Sequence, residues 1–119
     1  MTADAPADPP VPTTAPVVEA GPVAVEIRYR IDPRRREEFL LASEPVGTLR
    51  RRNGARMWRL YRDLADESAF VERFIVDSWV DYQRQLARST VADHEHEEKV
   101  RAFLQDGVQI EIAHYLAER

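Results

Sequence analysis

Apolar and polar residues alternate along positions 23–31, with Glu26, Arg28 and Arg30 at the polar positions. This period of two is typical of a strand with one buried face and one polar face. The Asp32-Pro33 pair comes next, and it combines an N-cap residue with a proline suited to the first helical position. The pattern therefore predicts a strand that is followed directly by a helix.

The predicted first helix keeps one apolar stripe across two residues that usually interrupt helices. Pro45 and Gly47 lie inside it, yet the stripe stays in phase on both sides, which indicates a kink and not an end. The Asn53-Gly54 pair supplies the expected stop. The stripe consists of Phe39, Ala42, Val46 and Leu49.

The rest of the chain alternates between strand and helix signals. "ARMWRLYRD" and "FVERFIVD" predict two strands joined by the polar turn "LADES", a spacing that favours a hairpin. Ser78 and the Thr90/Asp93 capping box predict two helix starts, and the second helix is expected to include Val100, Phe103 and Leu104 and to end at Gly107. "VQIEIAHYL" alternates again and predicts a final strand beginning at Val108.

The resulting order, β-α-β-β-α-α-β, predicts an α+β fold of the ferredoxin-like, split β-α-β type. It has a four-stranded antiparallel sheet with helices on one face only. Sheets of this kind commonly pair through their open face, so a homodimeric α/β barrel is expected. The residues expected on that face are Glu26, Arg28 and Arg30, with Trp58 or Met57, Glu72 and Glu111.

Composition narrows the function classes. The 119 residues include no cysteine, which excludes thiolate catalysis and cysteine-bound metal sites. The net charge of -4 argues against nucleic acid as a partner. Prolines concentrate in residues 1–21, predicting a disordered tail or linker before a folded domain at 22–119. No apolar run approaches the roughly 20 residues that span a bilayer, so a soluble polypeptide is expected.

Three stretches carry a family resemblance: "VEIRYRIDPRRREEFL", "LRRRNGARMWRLYRDLADESAFVERFIVDSW" and "STVADHEHEEKVRAF". They resemble the C-terminal domain of major facilitator superfamily exporters of the enterobactin-exporter-like group, from about Gly21 to Arg119. That domain is similar to the dimeric α/β barrels of antibiotic-biosynthesis monooxygenases, which hold a small-molecule cavity in each protomer. In the exporters it follows transmembrane helices, so the chain is interpreted as an excised tail domain or a free-standing relative. Family histidines are replaced here by Tyr82 and Leu86.

The candidate ligand cavity combines aromatic, basic and histidine side chains. Arginine guanidinium groups suit a carboxylate or aromatic phenolate ligand. Ion pairs with Glu26, Glu72 or Glu111 are the alternative role for the arginines, and plain core packing is the alternative for the aromatic residues. The candidate residues are Arg28, Arg30, Trp58, Arg62, Trp79, Tyr82 and His114.

No metal or cofactor is expected. His94 and His96 lie two residues apart, which points them to different sides of a helix and favours a solvated acidic face. The predicted function is a non-catalytic, cytoplasmic accessory domain of a transporter at the inner face of the membrane, with dimerisation and small-molecule sensing as its roles. The alternative is a monooxygenase-like enzyme that acts on an aromatic substrate.

Overall fold

A computed structural model describes residues 20–119, and they form one four-stranded sheet and three α-helices. The predicted order is confirmed. The elements are β1 (Val23–Arg30), a 3₁₀ turn (Pro33–Arg35), α1 (Arg36–Arg52), β2 (Arg56–Arg62), β3 (Ala69–Val76), α2 (Trp79–Ala87), α3 (Val91–Arg101) and β4 (Glu111–Leu116).

The strands lie in the order β2-β3-β1-β4, and every neighbouring pair is antiparallel. In β1 the odd positions are buried and the even positions are partly exposed, as the alternation predicted. The ferredoxin-like fold class is therefore confirmed, with β1 and β3 as the central strands.

Helix α1 runs through Pro45 without ending, as predicted from its apolar stripe. Asp32 caps the preceding 3₁₀ turn by accepting a hydrogen bond from the Arg34 backbone N–H at 3.0 Å. Gly47 is buried where the helix meets Trp58 of β2, and a Cβ atom there would lie 2.9 Å from the indole ring. This close approach explains why the middle of the helix carries a glycine.

The caps of α2 and α3 are confirmed, but α3 ends earlier than predicted. Ser78 accepts from the Asp81 N–H, and Thr90 forms a full capping box with Asp93. After Arg101 the chain turns to pair with the end of β1: Leu104 bridges Ile31, and Gln105 N–H donates to the Arg30 carbonyl at 2.9 Å.

The last strand also starts later than predicted. Val108 N–H donates back to the Gln105 carbonyl at 3.0 Å, which makes this segment a turn, and β4 begins at Glu111.

Glu72, which was expected on the open face of the sheet, lies on the other face, and so does Trp58, one of the two alternatives given for β2. Glu72 stands opposite Ile27 in the sheet register, so both face the helices, and Trp58 packs there as well. The sequence did not show which residues of β3 face the helices, because apolar residues occur on both faces of this strand. Met57 is 72% exposed and has a φ of 55° within an irregular stretch of β2.

The predicted tail at residues 1–21 lies outside the described residues except for its last two. Ala20 already contacts the domain, because its carbonyl accepts from Trp79 N–H at 2.9 Å. None of the helices within residues 20–119 is long and apolar enough to cross a membrane.

Candidate functional site

The helix-covered side of the sheet contains a buried carboxylate, Glu72, which is 2% exposed. It accepts hydrogen bonds from Tyr29 Oη at 2.8 Å, from Arg50 Nε at 2.8 Å and from Trp58 Nε1 at 3.0 Å. These donors come from β1, α1 and β2, so one carboxylate ties three elements to β3. We call these four residues the Glu72 network.

The network keeps its ion pair charged. Burial alone would raise the pKa of Glu72, but the charge and hydrogen bond of Arg50, with the Trp58 and Tyr29 donors, outweigh it and lower that pKa. Burial would lower the pKa of Arg50, and Glu72 more than reverses this. For Tyr29, burial and the nearby Glu72 charge both raise the pKa.

Arg50 extends this network toward α3. Its Nη1 donates to Glu97 Oε2 at 2.9 Å, while Nε remains on Glu72. Arg50 is 7% exposed, so one buried guanidinium joins a carboxylate of the sheet to one of α3. A second pair between the same helices, Arg52 to Asp93 at 2.6 Å, supports this arrangement.

A cavity of about 80 Å³ lies between the sheet and the three helices. A water molecule needs on the order of 10–15 Å³ in the same measure, so the cavity holds several waters or a small ring. Its apolar walls come from β1, β3, α2 and the chain segment that enters β4. Its polar lining consists of Tyr29, Arg50, Tyr82, Gln85, Glu97 and Arg101.

Gln85 is the unusual residue of this lining. It is 3% exposed, and its Oε1 is buried without a hydrogen-bond partner among residues 20–119. Buried polar atoms are nearly always paired, and an unpaired one costs on the order of 1–3 kcal/mol. The cavity therefore has an unused polar group in its wall.

Next to the cavity, Trp79, Tyr82 and His114 form an aromatic cluster. The ring centroids lie 5.6 Å apart for Trp79 and Tyr82, 5.3 Å for Trp79 and His114, and 4.9 Å for Tyr82 and His114. His114 Nε2 lies 3.0 Å from Tyr82 Oη, within hydrogen-bond distance. Burial raises the pKa of Tyr82 to about 12 and lowers the pKa of His114. Both side chains are consequently neutral near pH 7.

The structure separates the predicted cavity residues into two groups. Trp79, Tyr82 and His114 meet on the helix-covered side, where Trp58 belongs to the Glu72 network. The three arginines are elsewhere in the fold.

Arg28 and Arg30 lie on the opposite face of the sheet, where they pair with aspartates of the β2–β3 turn. Arg28 contacts Asp63 at 3.0 Å, and Arg30 contacts Asp66. Arg62 is an exposed residue at the end of β2. Arg28 and Arg30 thus form ion pairs, which was the alternative role predicted for the arginines, but their partners are turn aspartates and not the predicted glutamates.

Three polar residues of the site were missed from the sequence, Arg50, Gln85 and Glu97, and Glu72 was predicted on the wrong face. Arg50 stands in a run of three arginines and Glu97 in an acidic run, so both looked like solvated surface. The available signal was helical phase, because Arg50 lies four residues after Val46 on the apolar stripe. Gln85 likewise follows Tyr82 by three residues on the buried side of α2.

The opposite side of the sheet has no helix over it, and we call it the helix-free face. At one end Ala24, Ile75 and Tyr115 lie side by side across β1, β3 and β4, beside a shallow hollow of about 230 Å³. At the middle Glu26 pairs with Arg73 of β3 at 3.2 Å. The face thus has an apolar end and a charged remainder.

Several solved structures share this fold at low sequence identity. SnoaB, a cofactor-independent oxygenase from Streptomyces nogalater, matches at 18% identity and a TM-score of 0.65, over 82% of this chain and 93% of that chain.

Two further matches are proteins proposed to be antibiotic biosynthesis monooxygenases. The protein from Caulobacter crescentus is 13% identical with a TM-score of 0.70, over 86% of this chain and 94% of that chain. The protein from Nitrosomonas europaea is 12% identical with a TM-score of 0.67, over 83% and 92%. At these identities the likeness shows the fold alone.

No curated protein sequence matches the chain. The family model of the transmembrane secretion effectors of the major facilitator superfamily, in contrast, matches residues 3–119. This confirms the exporter-domain resemblance of the sequence and extends it toward the N-terminus. The chain therefore belongs to the transmembrane secretion effector family.

Proposed function

We propose that residues 22–119 act as a non-catalytic accessory domain of a transporter of the major facilitator superfamily, on the cytoplasmic side of the membrane. In this proposal the domain dimerises through the helix-free face and senses a small molecule in the cavity. Membership of the transmembrane secretion effector family is the observation that carries the transporter context.

Dimerisation is supported by the helix-free face. Its apolar end, Ala24, Ile75 and Tyr115, is open, and Tyr115 is 53% exposed. A second copy of the chain is the natural cover, because proteins of this α/β-barrel fold typically pair through this face. A two-fold axis would bring the same face of both copies together. The apolar end of one copy would then lie against the apolar end of the other copy or against its charged part.

Sensing is supported by the cavity and its unpaired Gln85 amide. Arg50 lines the cavity and contacts both Glu72 and Glu97, so a molecule bound beside it would act on α1, α3 and β3 together. A binding event could thus be transmitted to the position of α3.

The dimer is tested by sedimentation velocity of an Ile75→Glu variant. A charge in the apolar end of the helix-free face must be desolvated on association, so we expect the wild-type dimer and a monomeric, folded variant. Leu41→Glu, at a 66% exposed position on α1, is the matched control and should stay dimeric. A wild-type monomer, or an Ile75→Glu dimer, contradicts the proposed interface.

Native mass spectrometry of the purified protein tests sensing. A retained small molecule, lost in a Gln85→Leu variant, is the expected result. Dimers that hold no molecule in any preparation and bind none from a metabolite extract would contradict the sensing role.

The aromatic cluster favours a second candidate, a cofactor-independent oxygenase-like enzyme. A neutral His114 lies within hydrogen-bond distance of Tyr82 Oη, at 3.0 Å, and could act as the base for a bound phenol. Oxygen consumption with an aromatic phenol that falls in His114→Gln would favour this candidate over the accessory role.

A further inference from the structure

The charged groups around the cavity are already paired with one another. Arg50 contacts Glu72 at 2.8 Å and Glu97 at 2.9 Å. Arg101 contacts Glu98 at 3.8 Å. A net charge brought by a ligand would therefore find no unpaired counter-charge. Since burying an uncompensated charge is strongly unfavourable, the cavity suits a neutral molecule.

The hydrogen-bonding groups left for a ligand are one donor and one acceptor. Arg50 uses Nε on Glu72 and Nη1 on Glu97, so its Nη2 takes part in neither bond. Gln85 Oε1 is buried and accepts no hydrogen bond from another described residue. A ligand therefore satisfies this wall best by presenting an acceptor oxygen to Arg50 and an N–H donor to Gln85.

The remaining surface sets the body of the ligand. Ile27, Phe74, Leu86, Ile110 and Ile112 supply apolar walls, and the Arg50 guanidinium lies 5.6 Å from the Phe74 ring centroid. Apolar walls with a few convergent polar groups are typical of small-molecule sites. A flat or branched hydrocarbon body with one polar end fits this distribution.

We propose that the cavity binds a small neutral molecule whose polar end is an amide, with its carbonyl oxygen directed at Arg50 Nη2, its N–H at Gln85 Oε1, and its hydrocarbon body against the isoleucine and phenylalanine wall. This inference rests on the proposed sensing role and names its ligand class. Gln85 is the residue that determines specificity, because it is the buried polar lining group without a partner among residues 20–119.

Three small molecules that share a benzene ring and differ in its substituent test the assignment: benzamide, benzoate and toluene. Their affinities for the intact protein are measured by chemical-shift titration, following the amides of Arg50, Gln85 and Glu97. We expect saturable benzamide binding, about tenfold tighter than toluene, because hydrogen bonds to the charged Arg50 donor or the unpaired Gln85 oxygen contribute on the order of 1.5 kcal/mol. Benzoate is expected to bind more weakly than benzamide.

Gln85→Leu should weaken benzamide binding toward that of toluene, with the Arg50 contact retained, while leaving toluene unchanged. Gln83→Leu, an exposed position on the same helix, is the matched control and should leave both affinities unchanged. Circular dichroism of both variants reports whether α2 is retained.

Each other outcome is informative. Equal benzamide and toluene binding overturns the amide assignment and leaves sensing intact. Tighter benzoate binding overturns the neutral-ligand argument. Binding of no probe overturns this inference, whereas the sensing role itself is decided by the native mass spectra and the dimer by sedimentation.

Discussion

At the scale of single residues, Glu72 determines how the interior is organised. A carboxylate that is 2% exposed survives in this core because Tyr29, Arg50 and Trp58 all donate to it. Breaking a buried ion pair by removing one partner leaves a charge without compensation. Loss of Glu72 would leave the buried charge of Arg50 with Glu97 of α3 as its remaining partner.

Glu72→Gln should lower the free energy of unfolding by about 3 kcal/mol or more, because Arg50 would keep its charge without its main counter-ion. Urea unfolding measures this. Glu95→Gln, on the exposed side of α3, is the control and should change stability by less than about 0.5 kcal/mol. A small loss in Glu72→Gln would mean that the hydrogen bonds, and not the charge, hold the network.

The same variant has a predicted pH dependence. The folded pKa of Glu72 is lowered from its ordinary 4.5, so its contribution is fully present above about pH 4.5 and is lost as the pH falls toward the folded value. The stability gap between wild type and Glu72→Gln should therefore narrow below pH 4.5. A gap that stays constant through acid would contradict a lowered folded pKa.

His114 gives a second residue-scale prediction near neutral pH. Burial lowers the folded pKa of His114 below the ordinary 6.5. The neutral side chain therefore makes its full contribution to the free energy of unfolding above pH 6.5, and this contribution is lost as the pH falls below it. In His114→Gln this part of the pH dependence should disappear from thermal unfolding curves recorded across that range. His96→Gln, outside the aromatic cluster, should retain the wild-type profile.

At the scale of elements, the start of α3 is determined by local sequence and its end by tertiary contacts. Its start is fixed locally by the Thr90/Asp93 capping box, and the sequence predicted it correctly. Its end is set by contacts that no local pattern contains, because Leu104 and Gln105 pair with the end of β1. The helix stops where pairing with the sheet replaces further helical hydrogen bonds.

Thr90→Ala should cost about 1 kcal/mol of stability, since the Thr90 side chain accepts from the Asp93 N–H at 3.1 Å and no alanine atom can replace it. Hydrogen exchange should show the loss first in the opening turn of α3. Ser89→Ala, one residue earlier and outside the cap, serves as control and is expected to have little effect. Equal losses in both variants would contradict the capping role.

At the scale of the whole molecule, the fold exposes one sheet face while the helices cover the other. The chain fills the helix-covered side with a core, a buried ion pair and a cavity, and leaves Ala24, Ile75 and Tyr115 open on the opposite side. A dimer through this face would make folding and association linked equilibria.

If the proposed dimer forms, the thermal midpoint should rise with protein concentration, because association stabilises only the folded state. Differential scanning calorimetry over a hundredfold concentration range measures this. Ile75→Glu should show a midpoint that is independent of concentration. A wild-type midpoint that does not move would contradict association coupled to folding.

The sequence by itself determined the element order, the three capping residues and the alternation of β1, although the segment after Asp32 is a 3₁₀ turn and α1 begins at Arg36. Asp32, Ser78 and Thr90 act on backbone groups within a few residues, and the alternation of β1 follows from strand geometry. Such short-range causes can be read from neighbouring letters. The fold class followed from them and is confirmed.

Only the tertiary structure decided which charged residues are buried. Glu72 in β3 and Arg50 in an arginine run look like surface residues, yet they pair at 2.8 Å over 22 positions of sequence. The cavity beside them needs Gln85 and Glu97 from two further helices. The physical reason is that burying a charge is favourable only when its partners arrive from distant elements, and their arrival depends on the assembled fold.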